Sequence, residues 1–202
     1  LVMVGALLDF KAAGLFAISS FGAQFVVFVI VSTNTAVAPV VSSLYRKGDI
    51  EKLQQIVLRS AGSVFILALM LSILMTMVGT HFLAFFGPEY IQGYRALLIL
   101  CFGRAFQTSM GLSGMILNMT NHERETAIST SAGAILNIIL NTIFIPIWGI
   151  EGAAWATVLG GLTTVTLLNF QCSSKINIDA NIYVPFIKAM RPRAVDRSGQ
   201  RS

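Results

Sequence analysis

The sequence predicts an all-α, polytopic transmembrane bundle, and two observations carry that prediction. The first is charge-free length. Residues 12–45, 60–80, 126–150 and 152–174 contain no Asp, Glu, Lys, Arg or His, and 96–121 is interrupted only by Arg104. About 20 apolar residues in a helix cross a hydrocarbon core, and in lipid the backbone must satisfy its own hydrogen bonds, so each stretch reads as a helix. The second is composition. The chain is 55% hydrophobic and 11% charged, with a mean hydropathy of +0.75, whereas soluble domains carry about 25% charged residues. A chain of 202 residues is too short to enclose so much apolar surface in a water-soluble core.

The elements follow in order. Leu1–Leu8 is apolar but too short to span, and reads as the tail end of a helix whose beginning is missing. A first full helix is expected over 12–44, with Pro39 removing a donor and freeing the carbonyl of Thr35. Gly48-Asp49 marks a turn in the charged loop 45–59, and Asp49 can cap a helix from Ile50. The second membrane helix is expected over 59–85, before a break at Phe86-Gly87-Pro88-Glu89-Tyr90. A third covers 92–119, a polar turn follows at 120–125, and a fourth covers 126–147 and ends near Pro146. Trp148-Gly149 turns the chain into a fifth helix at 152–171. The expected architecture is therefore five full membrane helices plus a partial N-terminal one over 1–171, with a basic, partly disordered tail at 172–202.

The cations are distributed unevenly. If the helices alternate, one side holds Arg46, Lys47, Lys52, Arg59, Arg124 and every cation from Lys175 onward, and the other holds only Lys11 and Arg95. The positive-inside rule then places the 45–59 loop and the C-terminus in the cytoplasm. Flanking apolar spans, these cations read as topology determinants, and no nucleic-acid partner is expected. The membrane lipids are the expected surroundings.

Arg104 is the cation on neither side. It stands 12 positions into the third helix, roughly 18 Å from its start, where a guanidinium costs at least a few kcal/mol and is seldom left facing lipid. At 100° per residue, Arg104, Gln107, Thr108, Gly111, Met115 and Asn118 share one arc. Two roles are open for Arg104. It lines a water-filled cavity and meets an anionic group, for which its fork is suited, or it neutralises backbone carbonyls or a carboxylate elsewhere in the assembly. In the fourth helix Thr130, Gly133, Asn137 and Asn141 share a face, and in the first Ser20, Gln24, Asn34 and Thr35 do so more loosely. These amides either face a cavity or bond neighbouring helices. The candidate cavity-lining set is Arg104, Gln107, Thr108, Asn118, Asn137, Asn141 and Gln24. The stripe Gly152, Ala156 and Gly160 reads as close packing.

The acidic residues all lie in loops or at helix ends, so no membrane-centred carboxylate is available for a proton relay or a cationic drug. His81 and His122 fall on opposite sides, and Cys101 and Cys172 have no metal or disulfide spacing. With no nucleophile elbow or phosphate-binding glycine loop, the chain is expected not to be an enzyme, and no cofactor or metal is expected.

Four stretches, in order, carry a resemblance. Residues 38–57 resemble the "P…LY..GD.E.L" loop of bacterial polysaccharide flippases. Phe86-Gly87-Pro88-Glu89-Tyr90 resembles their "FG.EY" turn. Residues 114–123 resemble "G..LN.TG.E", with Asn121 where the family often has Gly, and residues 137–157 resemble "N..LN...IP..GI.GAA.AT". The family is the O-antigen and exopolysaccharide flippases within the multidrug/oligosaccharidyl-lipid/polysaccharide exporter superfamily, of which this chain resembles the C-terminal half. The resemblance implies two helical bundles rocking around a shared cavity in the bacterial inner membrane. It implies flipping of undecaprenyl-pyrophosphate-linked oligosaccharide for cell-surface lipopolysaccharide or exopolysaccharide. The partners would be the lipid-linked oligosaccharide and a missing N-terminal bundle or another subunit, the chain being a partial or truncated protein. The alternatives are half of a cation-coupled multidrug exporter and a non-transporting membrane remnant or scaffold. Arg104 matches none of the family motifs.

Overall fold

In the computed structural model, which describes residues 1–109 and 112–176, the chain is all-helical, with no strand among the described residues. The helices are α1 (Val2–Leu7), α2 (Phe10–Lys47), α3 (Ile50–Phe86), α4 (Tyr94–Ser109), α5 (Ser113–Met119) and α6 (Glu123–Ile176), with a 3₁₀ turn at Pro88–Gly93 between α3 and α4. Three helices, α2, α3 and α6, are long and apolar enough to cross a membrane, and the bent pair of α4 and α5 adds a fourth if the pair is one span.

Local chemistry sets most boundaries. The Asp9 carboxylate accepts from the Ala12 amide to open α2, and α2 closes on Gly48 at φ 71°, a left-handed position that suits a helix C-terminus. Pro39 does not interrupt it. Asp49 opens α3 by accepting from the Lys52 amide at 3.3 Å, as its position after Gly48 predicts.

Three boundaries differ from the sequence expectation. The segment after Asp49 is not a separate loop helix, because α3 runs without interruption from Ile50 to Phe86. The stretch 50–61 holds no Gly or Pro, and Leu53, Val57, Ala61, Val64 and Ala68 form one buried stripe that carries the loop segment into the membrane helix. The third membrane helix is broken: α4 ends at Ser109, α5 starts at Ser113, and the two are bent by 51°. Residues 108–114 read Thr-Ser-Met-Gly-Leu-Ser-Gly, and two glycines, two serines and a threonine among seven residues weaken helix propensity at the break. Finally, α6 continues to Ile176, and Cys172, expected at the start of the tail, is fully buried. Residues 177–202, the remainder of the expected tail, lie outside the described residues.

The element α6 is a hairpin of two helical arms. Gly149 at φ 57°, ψ −132° is non-helical and divides it. Ser129 donates to Gln171 across 3.0 Å. A Cβ built on Gly160 would lie 2.8 Å from the Asn137 Cβ, and one on Gly152 would lie 2.2 Å from the Phe144 carbonyl oxygen. Partner numbers fall on one arm as they rise on the other, so the arms 123–148 and 150–176 run antiparallel. The stripe Gly152, Ala156, Gly160 is where they meet, as its spacing predicts.

Apolar burial is concentrated at two levels. One core joins Val4, Phe16, Leu83, Leu97 and Ile145 near the Pro88–Gly93 turn and Gly149. The other joins Val41, Leu53, Val57, Ile116 and Leu168 at the end that holds Gly48 and Asn121. Asn121 has φ 67°, the left-handed conformation that Asn tolerates in place of Gly.

Candidate functional site

Arg104 projects from α4 at the margin of the first core. Its helix buries Leu97, Leu100, Cys101 and Ala105, while Arg104 itself is half-buried. It borders a cavity of about 220 Å³ lined also by Leu1, Phe16, Ser20, Ala23, Gln24 and Val27 from the N-terminal helices, by Leu100, and by Thr157 of α6. The lining thus interleaves apolar side chains with hydroxyls, a carboxamide and a guanidinium.

The guanidinium is held from behind. Arg104 Nη1 donates to Gln107 Oε1 at 3.2 Å, and Gln107 Nε2 donates to the Val158 carbonyl on α6 at 3.2 Å. Small residues make this bridge possible. A Cβ on Gly103 would lie 2.2 Å from Val158 Cγ2, and one on Gly161 would lie 2.5 Å from Gln107 Nε2. No carboxylate joins the arrangement: the ion pairs among the described residues are Asp49–Lys52 and Arg95–Glu151. Of the two roles left open for Arg104, neutralising a carboxylate therefore has no partner within the described residues.

The seven candidates do not share one cavity. Arg104 and Gln24 line the one just described. Gln107 is buried behind Arg104, and buried Thr108 returns its hydroxyl to the Ala105 carbonyl at 2.6 Å. Asn141 donates to the Asn137 carbonyl at 2.8 Å and to Asn137 Oδ1 at 3.0 Å, so those amides satisfy each other within the α6 hairpin. Asn118 borders a different cavity, with Asn34, Thr35 and Thr126. Gly111, expected on the Arg104 face, lies outside the described residues. The arc argument broke down because it assumed one straight helix through a 51° bend. Thr157 was missed. Its hydroxyl bonds the Ala153 carbonyl at 2.8 Å, and only the hairpin geometry brings it to Arg104. Among the described residues no cluster of His, Cys, Asp and Glu could hold a metal ion.

The family model described as MatE matches residues 1–143, which covers α1 to α5 and most of the first arm of α6. The chain belongs to the MatE family. This is a membrane-transport family of the exporter superfamily that the sequence motifs resembled. The "Uncharacterized membrane protein MJ1068" of Methanocaldococcus jannaschii is 32% identical over 130 residues, 64% of this chain and 26% of that protein. The chain thus spans about a quarter of the length of this relative. No solved structure matches the chain. The MatE match stops short of the second α6 arm, which nevertheless supplies Val158 and Thr157 to the surroundings of Arg104.

Proposed function

We propose that this chain forms one helical bundle of a cation-coupled MatE-family exporter that moves amphipathic organic solutes across a cellular membrane. The observation that carries the reading is the mixed polar and apolar cavity at Arg104. Phe16, Val27 and Leu100 supply apolar lining, interleaved on the same helix faces with Ser20, Gln24 and Arg104, and Thr157 adds a hydroxyl. Ligand sites of this kind are mostly apolar with a few convergent polar groups. A fixed guanidinium without a carboxylate disfavours a cationic solute in this cavity and favours a neutral or anionic one. The coupling cation then binds away from Arg104, in the remainder of the transport unit. In this reading the two α6 arms cross the membrane separately, giving five crossings, and the Arg46–Arg59 end and the C-terminus face the cytoplasm.

A second reading is favoured by the same guanidinium. Its fork suits a pyrophosphate, and flipping of an undecaprenyl-pyrophosphate-linked oligosaccharide in the bacterial inner membrane would place that group against Arg104. Membrane vesicles from cells expressing the protein, loaded with matched anionic and cationic fluorescent amphiphiles, test the first reading. Export of the anionic dye is expected to fall about ten- to a hundredfold in Arg104→Ala, as loss of one charge-assisted contact of about 1.5–3 kcal/mol would give, and to recover in part in Arg104→Lys. Undiminished export by Arg104→Ala overturns it. A defect confined to lipid-linked oligosaccharide translocation selects the second reading, and a protein that moves neither cargo is a membrane scaffold.

A further inference from the structure

The polar stripe of α2 does not stop at the Arg104 cavity. At 100° per residue Ser20, Gln24, Asn34, Thr35 and Ala38 fall within one arc of about 100°, and the rise from Gln24 to Asn34 is about 15 Å. At the far end of this stripe a cavity of about 480 Å³ lies between α2, α5 and the start of α6, lined by Asn34, Thr35, Met115, Asn118, Met119 and Thr126 among others. Its volume is well above the roughly 30 Å³ share of one water molecule and falls in the range of small-molecule sites.

Two oxygens at this cavity are unmet. Among the described residues Asn34 Oδ1 and Thr126 Oγ1 are buried without a hydrogen-bond partner. Leaving such an atom unpaired costs about 1–3 kcal/mol, and serine and threonine hydroxyls elsewhere in the bundle avoid that cost by bonding the carbonyl one turn back, as Ser72 and Thr120 do. Both Asn34 and Thr126 line the cavity, and a rotation about their side-chain bonds would turn the buried oxygens toward a guest. Among the described residues no charged side chain lines the cavity. A cation would find no carboxylate there and an anion no counter-charge. What the wall offers is carboxamides and hydroxyls, which accept and donate at once, beside the thioether flanks of Met115 and Met119.

We propose that this cavity is a second binding site, separate from Arg104, that takes an uncharged hydroxyl-bearing group. The group donates to Asn34 Oδ1 and exchanges a hydrogen bond with Thr126 Oγ1, while Asn118 closes the exposed side.

The test is protection of a cysteine placed in the cavity wall. In proteoliposomes carrying the full chain with Ala38→Cys, a part-exposed position on the cavity wall outside the proposed contacts, alkylation by N-ethylmaleimide reports the site, because Cys101 and Cys172 are both buried. Monooctanoylglycerol, octyl phosphate and octyltrimethylammonium share a tail length and differ in head charge. Monooctanoylglycerol is expected to slow alkylation roughly fivefold at a few times its dissociation constant, and the two charged amphiphiles are expected not to. Free glycerol separates the sources: protection by glycerol alone indicates a soluble polyol, and protection only with the tail indicates a lipid-borne head. Thr126→Val, which removes a hydroxyl and little volume, is expected to abolish protection, as is Asn34→Leu if that variant folds. Equal slowing by all three amphiphiles, slowing that survives Thr126→Val, or no slowing by any hydroxylated probe overturns the proposal, the last outcome assigning the oxygens to water. Arg104→Ala keeps the protection, so this site and the export reading fail separately.

Discussion

Gln107 ties Arg104 to the second arm of α6 through one carboxamide that accepts on one side and donates on the other. Neither Leu nor Glu could do both, since the bridge needs an acceptor and a donor on the same group. A different kind of constraint acts at Gly149. Its φ of 57° and ψ of −132° lie where a Cβ is strained, yet the nearest atom a Cβ there would meet is Leu8 Cδ1 at 4.0 Å. Space is available and the backbone conformation is not. Gly149→Ala is therefore expected to destabilise the bundle by about 1–3 kcal/mol, read as a lowered thermal midpoint in detergent. Asn121→Gly, at φ 67°, is expected to leave the midpoint unchanged or raise it slightly. Equal behaviour of Gly149→Ala and wild type would mean that the hairpin turn relaxes to an ordinary conformation.

At the scale of elements, what was legible in the sequence is what single residues decide. Gly48 with Asp49, Gly149 and Asn121 each impose a turn, and each turn is present. The union of the 50–58 segment with the following membrane helix was hidden because the charges of Glu51, Lys52 and Arg59 resemble a loop, although the buried stripe from Leu53 to Ala68 was written there at helical spacing. The start of α3 depends on one charged pair. Lys52 Nζ lies 2.9 Å from Asp49 Oδ2. Hydrogen bonds from the Lys52 side chain and then its amide hold the Asp49 carboxyl below its ordinary value of 3.8, and the bond to Asp49 lifts the Lys52 ammonium above 10.5. A depressed carboxyl stabilises the folded state above its unfolded value and loses that contribution as pH falls through the folded value. The cap is therefore expected to hold from about pH 4 upward and to fray below 3.8, seen as faster amide exchange at Lys52 and Leu53 relative to mid-α3. Asp49→Asn keeps an acceptor without the charge, so its exchange should show no such acid step. An identical acid step in Asp49→Asn would place the titrating group elsewhere.

Over the whole molecule, the site was less legible than the fold because it depends on how helices meet. Arg104 and Gln24 stand far apart in sequence and face one cavity, while Arg104 and Asn118, alike in helical phase, are separated by the bend between α4 and α5. The two buried cores show how the ends of the bundle are built. One starts around the Pro88–Gly93 turn and Gly149 and extends inward to Ala68 and Ala105. The other gathers the residues around Gly48, Asp49 and Asn121. Lys47, Lys52 and Arg124 belong to the second end, and among the described residues the first end carries Lys11 and Arg95, with Arg95 paired to Glu151 at 3.7 Å. Anionic lipid and the insertion machinery both retain such a cationic end on the cytoplasmic side. Single cysteines at Lys47 and Glu89, each exposed, are accordingly expected to react with a membrane-impermeant maleimide from opposite sides. Glu89→Cys should label in intact cells and Lys47→Cys only after the membrane is opened. Labelling of both in intact cells would break the link between the two cores and two membrane faces. The reverse pattern would keep that link and invert the orientation, showing that the weak cation content of the first end does not decide insertion.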